Sequence, residues 1–120
     1  MPATSLPTDP VELARALCAV DSTSFAEAPA VDLMAGLLHD AGWRVTRVPV
    51  APGRDDVFAE APGVPAEVTL STHLDTVPPF IAPRLEGDRL VGRGTCDAKG
   101  IAAAMLCPAE RLRARGVPVG

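Results

Sequence analysis

The sequence predicts a mixed α/β fold, a β-sheet flanked by helices, and three observations carry that expectation. Two stretches near the N-terminus repeat apolar residues three and four apart. Segments of alternating apolar and polar residues follow, and a glycine-rich bend leads from the last of them into another helical stretch.

Taken in order, Asp9-Pro10-Val11-Glu12 is a helix start. It has an Asp in the capping position, a proline where its missing N–H costs nothing, and a Glu three residues on to complete a capping box. Leu13, Ala14, Leu17 and Cys18 form the apolar stripe, and the polar run Asp21-Ser22-Thr23-Ser24 ends it. A second helix is predicted over 29–41, with Val31, Met34, Ala35 and Leu38 on one face and Gly42 in the C-terminal capping position. His39, near that end, reads as a surface residue favoured by the helix dipole. Strands are expected over 43–50 and 56–60, joined by the turn Ala51-Pro52-Gly53-Arg54. A third covers 67–74, and a short hairpin over 84–91 turns at Gly87-Asp88.

From 98 to 115 the pattern is helical, with Ile101, Met105 and Leu112 expected to face inward and Gly116 to end the helix. Pro108 lies inside it. A proline there removes one backbone hydrogen bond, so the helix either kinks or restarts at Pro108, and a kink is the favoured expectation. The closing Gly116-Val117-Pro118-Val119-Gly120 reads as the start of a return to the sheet, so the chain is expected to be the front portion of something longer.

Composition narrows the function classes. The core is expected to be aliphatic, because 48% of residues are hydrophobic but only 3% aromatic. A net charge of −4 argues against a nucleic-acid partner. No run reaches the ~18–20 apolar residues of a membrane span, and the N-terminus lacks a basic-then-apolar targeting pattern. Cys18, Cys96 and Cys107 are odd in number and show no metal spacing, which fits free thiols in a reducing compartment. A cytoplasmic protein is the expectation.

Two short stretches carry chemistry. In 67–74 the side chains alternate, so Thr69, Ser71, His73 and, past the end, Asp75 share a face. Residues two apart on a strand stand about 6.5–7 Å apart. An Asp so placed accepts a hydrogen bond from one imidazole nitrogen and leaves the other's lone pair directed outward, as in metal-binding histidines. The same pattern also describes a plain surface pair. The second stretch is Gly92-Arg93-Gly94-Thr95-Cys96-Asp97-Ala98-Lys99-Gly100. Its glycines permit a tight bend, and Asp97 falls near a helix N-terminus, which keeps a carboxylate ionised; it reads equally as an N-cap. A phosphate loop would need Gly-Lys rather than Lys99-Gly100, and a dinucleotide fingerprint would need glycine at Asp97. Cys96 has no histidine to activate it apart from His73.

Together the stretches Ser-Thr-His-Leu-Asp-Thr-Val-Pro and Gly-Arg-Gly-Thr-Cys-Asp-Ala-Lys-Gly resemble the zinc-dependent amidohydrolase and peptidase family. That family contains acetylornithine deacetylase, succinyl-diaminopimelate desuccinylase, aminoacylase and carboxypeptidase G. The resemblance implies a zinc-exopeptidase-like fold, truncated here, with residues 1–120 forming the N-terminal part of the catalytic domain and a dimerisation domain lying elsewhere. It implies two zinc ions, with cobalt as an alternative metal. His73 is then a ligand of one zinc, Asp97 the carboxylate bridging both, and Asp75 the catalytic-site acid that orients the imidazole. The Asp97–Ala98 peptide is expected to be cis. The implied reaction is attack of metal-bound water on the amide of an N-acyl amino acid or small peptide, in a homodimeric parent enzyme of amino-acid metabolism. The general base would come from a Glu-Glu pair beyond residue 120. Glu110 reads as solvent-facing and is no substitute. Two donors fall short of the three protein ligands a catalytic zinc wants, so the 120-residue chain alone is expected not to catalyse. The alternatives are a non-catalytic or degenerate α/β module and, more weakly, a nucleotide-binding domain.

Overall fold

The computed structural model describes residues 6–120. The first five residues, Met-Pro-Ala-Thr-Ser, on which the expectation about a targeting pattern falls, lie outside the described residues. The chain is a mixture of helix and sheet: α1 (Pro10–Cys18), α2 (Ala28–Asp40), β1 (Arg44–Ala51), β2 (Arg54–Glu60), β3 (Arg84–Glu86), β4 (Arg89–Val91) and α3 (Lys99–Ala114).

Local chemistry sets the helix limits. Asp9 Oδ1 accepts the Val11 N–H at 2.8 Å, satisfying one of the free donors at the start of α1. Both α2 and α3 close with the paired bonds of a Schellman motif. In α2, Gly42 N–H donates to the His39 carbonyl at 2.9 Å and Trp43 N–H to Leu38 at 3.0 Å. In α3, Gly116 N–H reaches Arg113 and Val117 N–H reaches Leu112, each at 3.0 Å. α3 runs unbroken through Pro108, so the helix does not restart there.

The core is aliphatic, as the composition implies. Leu13 and Leu17 of α1 meet Ala102, Ala103 and Cys107 of α3, while Met34, Leu37 and Leu38 of α2 close the other side with Trp43. The buried face of α3 is therefore not the expected one. Ile101 and Leu112 are exposed, and the small residues Ala102, Ala103 and Cys107 point inward. Small side chains let α1 and α3 approach closely, and that packing outweighs the bulk of Ile101 and Leu112. Glu110 also departs from expectation. It is half-buried, accepts the Trp43 indole N–H at 2.8 Å, and pairs with Arg113, whose guanidinium lies over the Trp43 ring and bonds the Ala41 carbonyl.

β1 and β2 pair antiparallel from Arg44↔Glu60 to Ala51↔Arg54, with an irregularity between Pro49 and Ala51. β3 and β4 form the short hairpin expected at Gly87. The predicted strand over 67–74 is the main correction. No strand is formed there, and its apolar residues stand in solvent, Val68 at 72% and Leu70 at 61% exposure. Alternation specifies faces, but a strand also needs a ladder partner. Among the described residues this segment has only the Gly120 carbonyl, which accepts from Glu67 and Val68 N–H, and a parallel bridge at its far end between Thr76 and Thr23.

Candidate metal centre

That far end is tied down by hydrogen bonds with the residues after α1. Ser22, fully buried, donates its hydroxyl to the Leu74 carbonyl at 2.6 Å. Thr76 N–H donates to the Ser22 carbonyl at 2.9 Å and Ser24 N–H to the Thr76 carbonyl at 3.0 Å. The polar run after α1 thus clasps residues 74–76 and fixes the backbone that carries His73 and Asp75.

The opposite wall is the bend 92–97. Gly92 lies so close to Pro83 that a Cβ there would fall 2.9 Å from the Pro83 Cα, and Gly94 has a φ of +90°, a conformation that favours glycine. Behind the bend, Lys99 is 1% exposed, and its ammonium donates to the Val20 carbonyl at 2.6 Å, just past the C-terminal end of α1. Burial pushes the Lys99 pKa down, while neighbouring Cys18 and Asp21 oppose that shift. This tie anchors the first residue of α3 to α1, and so fixes where Asp97 stands. The Asp97–Ala98 peptide is cis.

The two walls enclose a cleft of about 190 Å³ lined by His73, Asp75, Thr76 and Val77 on one side and by Gly92 to Asp97 on the other. Across it, His73 Nε2 lies 3.0 Å from Asp97 Oδ1. His73 Nδ1 lies 3.1 Å from Asp75 Oδ1 and 3.0 Å from the Asp75 carbonyl oxygen. All three residues singled out from the sequence therefore meet. Asp97 is not an N-cap: α3 is capped at Ala98 without a side-chain bond, and the Asp97 carboxylate is 82% exposed toward the cleft. Partial burial by itself lowers the His73 pKa, but the Asp75 carbonyl and carboxylate and then Asp97 outweigh it, so the net shift is upward. Both ring nitrogens face oxygens, and only the doubly protonated ring satisfies both.

The donor set accommodates a metal ion. Two donors 2.0–2.2 Å from a tetrahedral zinc stand about 3.3–3.5 Å apart, within a few tenths of an ångström of the His73–Asp97 separation. Asp75 faces Nδ1 on the far side of the ring, so Nε2 is the nitrogen turned toward Asp97. Among the described residues no group of three or more His, Cys, Asp or Glu side chains is arranged to hold one metal ion together, so the candidate donors are a pair. His39 stands apart, exposed at the end of α2 beside Asp40. Cys96 lines the cleft, whereas Cys18 and Cys107 are buried thiols whose pKa values burial raises.

Sequence reasoning missed Ser22, Ser24 and Lys99. Ser22 and Ser24 read as a helix end, and Lys99 only as the wrong order for a phosphate loop. Nothing local marks residues that act 51 to 79 positions away.

Residues 69–119, which hold both walls of the cleft, match the peptidase family M20/M25/M40. The chain is 35% identical over 127 aligned positions to succinyl-diaminopimelate desuccinylase of Gluconobacter oxydans, covering 97% of this chain and 33% of that one. The same enzyme of Sphingopyxis alaskensis is 34% identical, covering 84% and 30%, and a probable carboxypeptidase of Aspergillus terreus is 38% identical, covering 88% and 28%. The chain belongs to the peptidase family M20/M25/M40, and the matches cover the N-terminal portion of these relatives. It spans about a third of their length.

Proposed function

We propose that this chain forms part of the catalytic domain of a dinuclear zinc hydrolase that cleaves an amide bond in an N-acyl amino acid or small peptide, as a deacetylase or desuccinylase of amino-acid metabolism. The observation that carries the reading is the His73 Nε2–Asp97 Oδ1 pair facing across the cleft, with Asp75 behind the imidazole. His73 supplies a neutral nitrogen donor, Asp97 an ionised carboxylate able to bridge two ions, and Asp75 keeps the Nδ1 proton and hence the ring orientation. His73 and Asp97 would hold the metal, zinc or alternatively cobalt, which would supply Lewis-acid chemistry to a substrate carbonyl and to water. Relatives named as desuccinylase and carboxypeptidase support a hydrolase. A cytoplasmic, homodimeric parent acting on small molecules rather than nucleic acid or membrane completes the proposal. Among the described residues no helix is long and apolar enough to cross a membrane.

Two protein donors are one fewer than a catalytic zinc uses, so this chain by itself should bind zinc weakly and hydrolyse nothing. Zinc titration of isotope-labelled chain, followed at the His73 ring and the Asp97 amide by NMR, should shift both together. An unmoved His73 ring at saturating zinc would leave the non-catalytic module as the better account. Hydrolysis of an N-acetyl or N-succinyl amino acid by this chain with added zinc would contradict the ligand count.

A further inference from the structure

We infer that Ser24 is a positioning residue for the His73 metal donor, acting through Asp75; the inference rests on the metal-centre reading above. Asp75 has two carboxylate oxygens with different duties. Oδ1 faces His73 Nδ1 at 3.1 Å, and Oδ2 accepts the Ser24 hydroxyl proton at 2.8 Å. A carboxylate on a single carbon–carbon bond rotates freely unless both ends are held. With Oδ2 tied, Oδ1 is presented to the ring in one orientation, and the ring in turn presents Nε2 to Asp97.

Ser24 is itself held firmly. Its N–H donates to the Thr76 carbonyl at 3.0 Å. The next residue, Phe25, has a φ of +77°, an outlier for a bulky side chain that persists only where its surroundings over-determine it. Those surroundings are visible. Phe25 N–H donates to Glu27 Oε1 at 2.9 Å, Arg54 pairs with both Glu27 oxygens at 2.8 and 3.1 Å, and its guanidinium lies 4.6 Å above the Phe25 ring. The Ser24 hydroxyl is therefore delivered to Asp75 by a loop anchored on α2 and β2, outside the segment that carries the histidine.

Groups that orient a ligating histidine change metal affinity about 10- to 100-fold when removed. One step further out, Ser24→Ala should weaken zinc binding about three- to tenfold, read from the Asp97 amide shift in the zinc titration. Ser24→Thr, which keeps the hydroxyl, should bind within about twofold of the parent, and Ser24→Val, of the same shape without it, should resemble Ser24→Ala. The decisive arm is a double-mutant cycle, because a residue acting through Asp75 loses its effect when Asp75 is gone. In an Asp75→Ala background, Ser24→Ala should cause no further weakening. An equal loss in that background, or zinc binding by Ser24→Ala and Ser24→Val within twofold of the parent, would overturn the proposal. If Ser24→Ala does not fold, as judged by far-ultraviolet circular dichroism, the Thr and Val pair decides. His73→Ala separates the two readings. Undiminished zinc binding without His73 removes the metal centre and this inference with it, whereas binding lost in His73→Ala but kept in the Ser24 variants rejects only the role of Ser24.

Discussion

The helical core and the segment 67–76 obey different rules. In the core, Leu13, Leu17, Cys18, Ala103 and Cys107 are fully buried, and local capping bonds close the start of α1 and the ends of α2 and α3. In the segment, Val68 and Leu70 face water, and order comes from a few hydrogen bonds to Ser22 and Ser24 at one end and to Gly120 at the other. The core is held by area removed from water, the segment by directional bonds at its tips. The comparison teaches that the candidate site draws its geometry from the clasp and the Lys99 tie, and only indirectly from the core.

The largest effect should therefore come from the core. Leu17→Ala removes a fully buried side chain and should cost about 2–5 kcal/mol in urea unfolding. A loss below about 1 kcal/mol would mean that the core is not what holds the chain together. An intermediate effect belongs to the loop that anchors Ser24. Glu27 is buried, and although burial opposes its ionisation, Arg54 and the Phe25 N–H outweigh that and hold its carboxyl below the ordinary value of 4.5. A depressed folded pKa means that the stabilisation is complete above the ordinary value and is lost as pH falls through the folded one. Glu27→Gln should cost about 1–2 kcal/mol at neutral pH, and the gap from the parent should close on acidification. A gap that stays constant down to pH 3 would break the assignment. The smallest effect is expected in the open segment, where Leu70→Thr should change stability by less than about 0.5 kcal/mol. A larger loss in the same unfolding experiment would show that the segment is packed after all.

Legibility in the sequence follows the range of the interaction. Asp9, Gly42, Gly87 and Gly116 act on neighbours within a few residues, and each sits where it was expected. His73 and Asp75 are two apart, so their pairing could be read from spacing. Asp97 is 24 positions from His73, and its part in the site could be anticipated only from the resemblance of the two motifs taken together. Strand 67–74 failed because its alternation is a property of one segment, whereas a ladder belongs to two. The inward face of α3 failed because hydrophobicity ranks Ile101 and Leu112 above alanine, while close packing against α1 favours the smaller side chains.

What the sequence by itself determined are features closed within one turn of chain: caps, turns, stripes and the order of donors along each motif. The tertiary structure alone decided that the Ser24 hydroxyl meets a carboxylate 51 positions away and that the Lys99 ammonium is buried on a carbonyl 79 positions away. The physical reason is that such contacts depend on the packing of whole elements, which no local preference encodes.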